Sequence, residues 1–282
     1  MSITEPACAK VNLFLHVGDR RADGFHPLQS LAVFTGLGDV LRAEAAATLT
    51  LTVDGPFAPG LAAEGDNLVL RAARLLAAQA GTSAGAALAL TKNLPVASGI
   101  GGGSADAAAA LRALTRLWRL EVGDEVLLEI AAALGSDVPV CMASASAIME
   151  GRGEVLMPVT VPPLPLLLVN PGVAVPTREV FAALKERGGT GLVLPRDGFA
   201  DADALLHFLI ATRNDLQAPA CALQPVIAEV LAALAALPDV RLARMSGSGA
   251  TCFALFADQT ACVRAAEMLR GRGWWTQSTV IR

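Results

Sequence analysis

The sequence predicts a mixed α+β protein in two lobes, and three observations carry that expectation. A chain of 282 residues that is 54% apolar can bury more than one small core holds. Short alternating segments bounded by turn residues, which read as strands and hairpins, are interleaved with Ala- and Leu-rich stretches at helical spacing. The proline cluster Pro158 to Pro165 marks a junction that divides the chain into residues 1-158 and 159-282.

In the first lobe, Ala7 to Val17 carries Lys10, Asn12 and His16 at alternate positions and reads as a strand, with Lys10 and Asn12 on one face. The turn cluster Asp19 to Gly24 and a second strand, Leu28 to Phe34, make a hairpin. Its tip sets Phe25 beside His26, as a platform for a flat ring or as an aromatic plug of the turn. Further strands are expected at Val40 to Ala45, Leu49 to Val53 and Ala86 to Leu90. A helix runs from Asp66-Asn67-Leu68 to Ala80, capped by Asp66 or Asn67. Helices at Ala107 to Trp118 and Glu125 to Leu134 precede Asp137, a lone acid among apolar residues. It either serves as an N-cap before Val138-Pro139 or needs a positive or hydrogen-bonding partner. A hairpin over Ala145 to Pro158 turns at Gly151-Arg152-Gly153.

The second lobe opens with a buried strand, Leu166 to Val169, and a helix that starts near Thr177 and contains Phe181. Gly188 to Phe199 reads as an irregular surface loop, followed by helices at Asp201 to Ala211, Asn214 to Ala218 and Gln224 to Ala236. Strands Val240 to Met245 and Ala250 to Phe256 flank Ser246-Gly247-Ser248-Gly249, whose successive N–H groups can form an anion nest or a plain hairpin turn. A helix at Thr260 to Arg270 and a strand at Trp274 to Ile281 close the chain.

The most informative stretch runs from Lys92 to Asp106, with Pro95, Val96, Ala97, Ser98, Gly99, Ile100, Gly101, Gly102, Gly103 and Ser104 leading into a helix. Glycines let backbone N–H groups approach an anion, and a helix N-terminus adds unpaired donors and a positive dipole end, so the stretch reads as a phosphate cradle. It is not a Walker loop, because no lysine follows Gly103, and it lacks the last glycine of a dinucleotide fingerprint and of a nucleophile elbow. Ser104 suits the helix start, where its hydroxyl can cap the chain or face a metal-bound phosphate.

Composition narrows the classes. A net charge of -4 without a basic stripe argues against nucleic acid as a partner. No long uncharged apolar run suggests a membrane span, and the N-terminal residues lack a signal-peptide pattern, so a cytoplasmic location is expected. The five cysteines are dispersed, as expected for reduced core thiols, and the three histidines form no ligand cluster. The only lysines are Lys10, Lys92 and Lys185 among 22 basic residues, so a lysine inside a motif calls for a chemical reason.

The motifs occur in a recognisable order. Ala9-Lys10-Val11-Asn12-Leu13-Phe14-Leu15, Arg20 to His26, Leu94 to Ala107, Gly135 to Pro139, Pro171 to Val173 with Pro176-Thr177, and Ser246 to Ala250 together resemble the GHMP kinase superfamily of galactokinase, homoserine, mevalonate and phosphomevalonate kinases. The likeness spans nearly the whole chain. It implies a ribosomal-protein-S5-like N-terminal lobe, a ferredoxin-like C-terminal α/β lobe, and ATP with Mg²⁺ as cofactors, the metal ligands being unassigned. The first two motifs are the most specific and imply, as acceptor, the 2-hydroxyl of a cytidine diphosphate-linked methylerythritol. The resemblance further implies that the ATP phosphates lie on Ser98 to Ser104, with adenine near Asn67, Lys92 and Val96. Phe25, His26 and Phe181 would hold the cytosine, Asn12 and Thr177 the rest of the substrate, and Asp137 would act as base with Lys10 beside it. Two departures stand out. Phe25 replaces a common Tyr, and Ser104-Ala105-Asp106 replaces a common Ser-Ser-Asn, with Asp106 placed either to approach Mg²⁺ or, as the favoured reading, to stabilise the helix N-terminus. A kinase for a mevalonate- or homoserine-like substrate and a non-catalytic nucleotide-binding regulator are the alternatives. Oligomeric state is not legible.

Overall fold

The computed structural model describes residues 2–22, 24–61, 67–184, 189 and 191–282. Asp23 of the hairpin turn, the alternative cap Asp66, and Lys185, Gly188 and Thr190 lie outside the described residues. The elements run β1 (Ser2–Val17), β2 (Leu28–Ala46), β3 (Thr50–Asp54), α1 (Leu68–Gln79), β4 (Gly85–Thr91), α2 (Gly102–Leu117), α3 (Asp124–Leu134), α4 (Val138–Ala143), β5 (Ala147–Glu150) and β6 (Val155–Pro158). They continue with β7 (Pro165–Asn170), α5 (Thr177–Ala182), α6 (Ala202–Ile210), α7 (Gln217–Leu223), α8 (Val226–Ala235), β8 (Val240–Met245), β9 (Cys252–Phe256), α9 (Gln259–Met268) and β10 (Trp275–Val280). The mixed α+β class is as expected.

The chain forms two compact units, each assembled from separated stretches: Met1–Ala9, Leu37–Val96 and Gly101–Ser144 in the first, and Lys10–Gly36, Ala97–Ile100 and Ala145–Arg282 in the second. In the first unit β4 pairs antiparallel with the C-terminal half of β2 and parallel with β3. Helices α1 to α4 pack on one another. The sequence permits that packing because α2 buries Ala105, Ala107, Ala108, Ala109, Ala110 and Ala113, whose small side chains let neighbouring backbones approach. Glu5 of β1 is fastened to α2 by Arg112 at 2.8 Å and by Arg116.

In the second unit β5 pairs antiparallel with the N-terminal half of β2 and with β6, giving the expected hairpin. A separate antiparallel sheet has the order β10-β7-β9-β8. Ile227, Val230 and Leu234 of α8 and Ala261, Cys262 and Ala265 of α9 join Leu167, Val169 and Ala254 of that sheet in one apolar core. All five cysteines are free, and four of them are buried. Burial pushes the Cys262 thiol up to about 11 and the Cys252 thiol further, which makes both inert core residues.

Two expectations need correction. β2 is one strand of 19 residues rather than two. The strand runs through Gly36 and Gly38 without a break, and Gly38 lets backbones meet: a Cβ there would lie 2.4 Å from the Ala7 carbonyl oxygen. The helix expected at Asn214 to Ala218 begins only at Gln217. The Asn214 side chain is used elsewhere, donating to Met245 O and Gly247 O at 2.8 Å each and accepting from Leu216 N.

Candidate active site

In the second unit, β1 places Lys10 and Asn12 on the same face because side chains two apart along a strand point alike. Both are buried, and the Lys10 ammonium donates to Asn12 Oδ1 at 2.9 Å. The Asn12 amide donates to Ser30 Oγ at 2.7 Å, and Ser30 Oγ donates to Phe14 O. The Asn12 main-chain N–H donates to Ser246 Oγ at 3.0 Å, and that hydroxyl donates onward to Gly99 O at 3.0 Å. Lys10 N to Ile100 O (2.9 Å) and Thr251 N to Ser98 O (3.0 Å) complete the set. Lys10, Asn12, Ser98 to Ile100 and the Ser246 to Gly249 turn are thus brought together through neutral hydrogen bonds, apart from the ammonium of Lys10. Only glycine fits at position 99: its φ is +77°, and a Cβ there would lie 2.6 Å from Ser246 O. Asn170 supports the same turn by donating to Thr251 Oγ1 at 2.9 Å. The Thr177 hydroxyl, at the start of α5, lies 2.8 Å from that of Ser248.

The hairpin tip also lies in the second unit. His26 stacks on Phe181, with centroids 5.9 Å apart and rings inclined by 27°. His26 Nδ1 is 3.0 Å from Gly18 O. A carbonyl only accepts, so Nδ1 carries a proton, and in the neutral form of the ring Nε2 is the acceptor. Phe25 is not part of that stack. It is half exposed, and the Arg152 guanidinium lies 4.4 Å over its ring centroid.

In the first unit, Asn67 caps α1 through its side chain, accepting from Val69 N at 2.8 Å. Lys92 is 2% exposed and lies between two carboxylates, donating to Asp39 Oδ2 and to Asp106 Oδ2 at 2.7 Å. Asp39 Oδ1 accepts from Asn93 N at 2.6 Å and Leu94 N at 2.8 Å. Burial works against the Lys92 charge, but the carboxylates outweigh it and hold its pKa above the ordinary lysine value. Burial raises the Asp106 carboxyl to about 7, Lys92 opposing the shift and Asp39 adding to it. Among the described residues Asp106 Oδ1 has no hydrogen-bond partner.

These observations revise two expectations at the loop's end. Helix α2 starts at Gly102, with Gly101 at φ 65° as an N-cap that offers no side chain, so Ser104 lies inside the first turn and does not cap. Asp106 lies beyond that turn, buried, and its role is the ion pair with Lys92 rather than stabilisation of the helix terminus. Among the other loop residues, Pro95, Ser98 and Ile100 are buried, Val96 is half-buried, and Ala97 and Gly103 are exposed. Asp137 occupies the N-cap position of α4 without capping through its side chain and is half-buried.

Several residues around the site carry no local signal in the sequence. Asp39 lies 53 residues from Lys92 at the entry of the loop it braces, and Asn214 lies 31 and 33 residues from its partners in the turn it holds, although Asp39, like Asp137, is a lone acid among apolar neighbours. Arg152 was visible only as a turn residue. Among the described residues no three His, Cys, Asp or Glu cluster as a metal site, and no helix is long and apolar enough to cross a membrane.

Residues 67–145 match the family described as GHMP kinases N terminal domain, and residues 196–273 match GHMP kinases C terminal. The chain is 53% identical to the 4-diphosphocytidyl-2-C-methyl-D-erythritol kinase of Rhodospirillum rubrum, over 98% of this chain and 92% of the relative. It is 51% identical to that of Cereibacter sphaeroides, over 96% of each. The crystal structure of a 4-(cytidine 5'-diphospho)-2C-methyl-D-erythritol kinase superposes with TM-score 0.82 at 35% identity, covering 100% of this chain and 99% of the other. Homoserine kinase from Cytophaga hutchinsonii, 19% identical with TM-score 0.70 over 100% and 94% of the two chains, shares the fold.

Proposed function

We propose that this chain, which belongs to the GHMP kinase family, is a 4-diphosphocytidyl-2-C-methyl-D-erythritol kinase. It transfers the γ-phosphoryl group of ATP to the 2-hydroxyl of its substrate, releasing ADP, in the non-mevalonate pathway to isopentenyl diphosphate. The observation that carries this reading is the full-length likeness at about half identity to kinases of that name, and the uncapped start of α2 and the buried Lys10 support it.

Phosphoryl transfer is mainly a matter of positioning and charge neutralisation. The loop from Pro95 to Ser104 supplies the ATP site. Gly101 leaves the first N–H groups of α2 without a side-chain cap, and such donors suit an anion. Mg²⁺ would supply charge neutralisation at the phosphates, and the Ser104 hydroxyl in the first turn of α2 would face the metal-bound phosphate. Buried Lys10, held by Asn12, contributes positive charge to the reacting phosphates. Asp137 accepts the proton of the 2-hydroxyl. Asn67, Lys92 and Val96 are assigned to the adenine side of the nucleotide, with Lys92 acting from within its ion pairs.

The cytosine is assigned to Phe25, His26 and Phe181. His26 Nε2 offers an acceptor to an exocyclic amine, and the His26–Phe181 pair and Phe25 offer flat apolar faces. Asn12 and Thr177 are assigned to the rest of the acceptor. The family lobes are taken as 1-158 and 159-282, each holding one matched family segment, and the enzyme is placed in the cytoplasm, where five free thiols stay reduced.

ATP turnover with 4-diphosphocytidyl-2-C-methylerythritol, compared with mevalonate and homoserine, tests the assignment. Turnover is expected with the first alone, and turnover only with either of the others would refute it. Asp137→Asn is expected to lower kcat by about 10²- to 10⁴-fold with little change in ATP affinity; wild-type turnover would remove Asp137 as the base.

A further inference from the structure

We propose that Asp39 is a positioning residue for the nucleotide loop, fastening the chain where it enters the loop and, through Lys92, where it leaves. The inference rests on the assignment of residues 95 to 104 to ATP.

Asp39 is 1% exposed and receives three donors. Oδ1 accepts the main-chain N–H groups of Asn93 and Leu94, and Oδ2 accepts the Lys92 ammonium. Asn93 returns a bond from its side chain to Gly38 O at 3.1 Å. The two residues before Pro95 are therefore held by one carboxylate, which as an acceptor-only group matches three converging donors. On the far side of the loop, the same ammonium donates to Asp106 of α2. It also lies under the first residue of that helix: a Cβ at Gly102 would come within 3.2 Å of Lys92 Nζ and 3.7 Å of Asp39 Oδ2. Leu94 and Gly102, the two ends of the loop, are thus referred to one buried carboxylate. Such indirect fixing of a binding segment is what sets its geometry to a fraction of an ångström.

A purely structural aspartate would lower stability and the active fraction while leaving both Michaelis constants alone. Asp39→Asn retains an acceptor for the two N–H groups but turns an amide toward the ammonium, and Asp39→Ala removes the acceptor altogether. Kinetics on the full chain should show the KM for ATP raised at least fivefold in Asp39→Asn and further in Asp39→Ala. The KM for 4-diphosphocytidyl-2-C-methylerythritol should stay within twofold. Calorimetric binding of a non-hydrolysable ATP analogue with Mg²⁺ should weaken in parallel. If Asp39→Ala fails to fold, Asp39→Asn alone decides. An ATP KM within twofold of wild type, or equal rises in both KM values, overturns the proposal. Analogue binding also separates this inference from the acceptor assignment. Wild-type protein that binds the analogue but does not phosphorylate the acceptor refutes that assignment, and Asp39 is then judged on analogue affinity. Wild-type protein that binds no analogue refutes both.

Discussion

The stretch from Lys92 to Asp106 is held in two chemically different ways. At its two ends, in the first unit, it is held by charge: Lys92 lies between Asp39 and Asp106, all three buried. In its middle, Ser98 to Ile100 are held in the second unit by neutral bonds from Lys10 N, Ser246 Oγ and Thr251 N. A buried ion cluster is strong only while every member is present and correctly protonated. A set of neutral bonds depends on shape, which is why Gly99 is required where Ser246 O closes in. The charged ends respond to pH, and the middle responds to fit.

Three substitutions sharpen this contrast, in decreasing order of effect. Lys92→Met leaves two buried carboxylates facing each other and is expected to cost about 3–5 kcal/mol, or roughly 10 °C in Tm. Calorimetry should show the deficit shrinking at pH 5, where protonation relieves the repulsion; a deficit independent of pH would contradict a charged clamp. Ser246→Ala removes both the acceptor for Asn12 N and the donor to Gly99 O, and is expected to cost about 1–3 kcal/mol. Urea unfolding should give the same loss at pH 5 and pH 8, since no titrating group is removed.

Asp106→Asn is the smallest change and the most diagnostic of sign. Burial raises this carboxyl from its ordinary 3.8 to about 7, so the folded chain keeps a proton that the unfolded chain has released. Stability therefore declines as pH rises from the ordinary carboxylate range towards 7, and the loss is complete above it. In Asp106→Asn that decline should disappear, so the variant gains on wild type between pH 5 and pH 8. Parallel pH profiles of Tm would show that the proton is not held there.

What the sequence revealed was local. Lys10 and Asn12 were legible because a period of two needs only neighbouring residues, and the glycine loop because its glycines stand together. The side-chain cap of α1 was legible at Asn67 for the same reason. Lys92 stands out by the scarcity of lysine, but its partner Asp39 does not, because it lies 53 positions away on β2. The continuity of β2 is hidden in the sequence because a glycine such as Gly38 is ambiguous: the same residue that permits a turn permits a close crossing. Ser104 and Asp106 differ from expectation by a few positions of helix register. Gly101 starts the helix without a capping side chain, which moves Ser104 into the first turn and sends Asp106 inward to Lys92. Arg152 against Phe25 could not be foreseen, since nothing local ties one hairpin turn to another.

Whether the chain phosphorylates a cytidine diphosphate-linked methylerythritol is decided by following label from ATP. With ATP labelled in the γ-phosphoryl group and 4-diphosphocytidyl-2-C-methyl-D-erythritol as acceptor, the label should appear as a monoester at the 2-position, located by phosphorus NMR of the product. Label released as inorganic phosphate, or transferred only when mevalonate or homoserine is supplied, would contradict it.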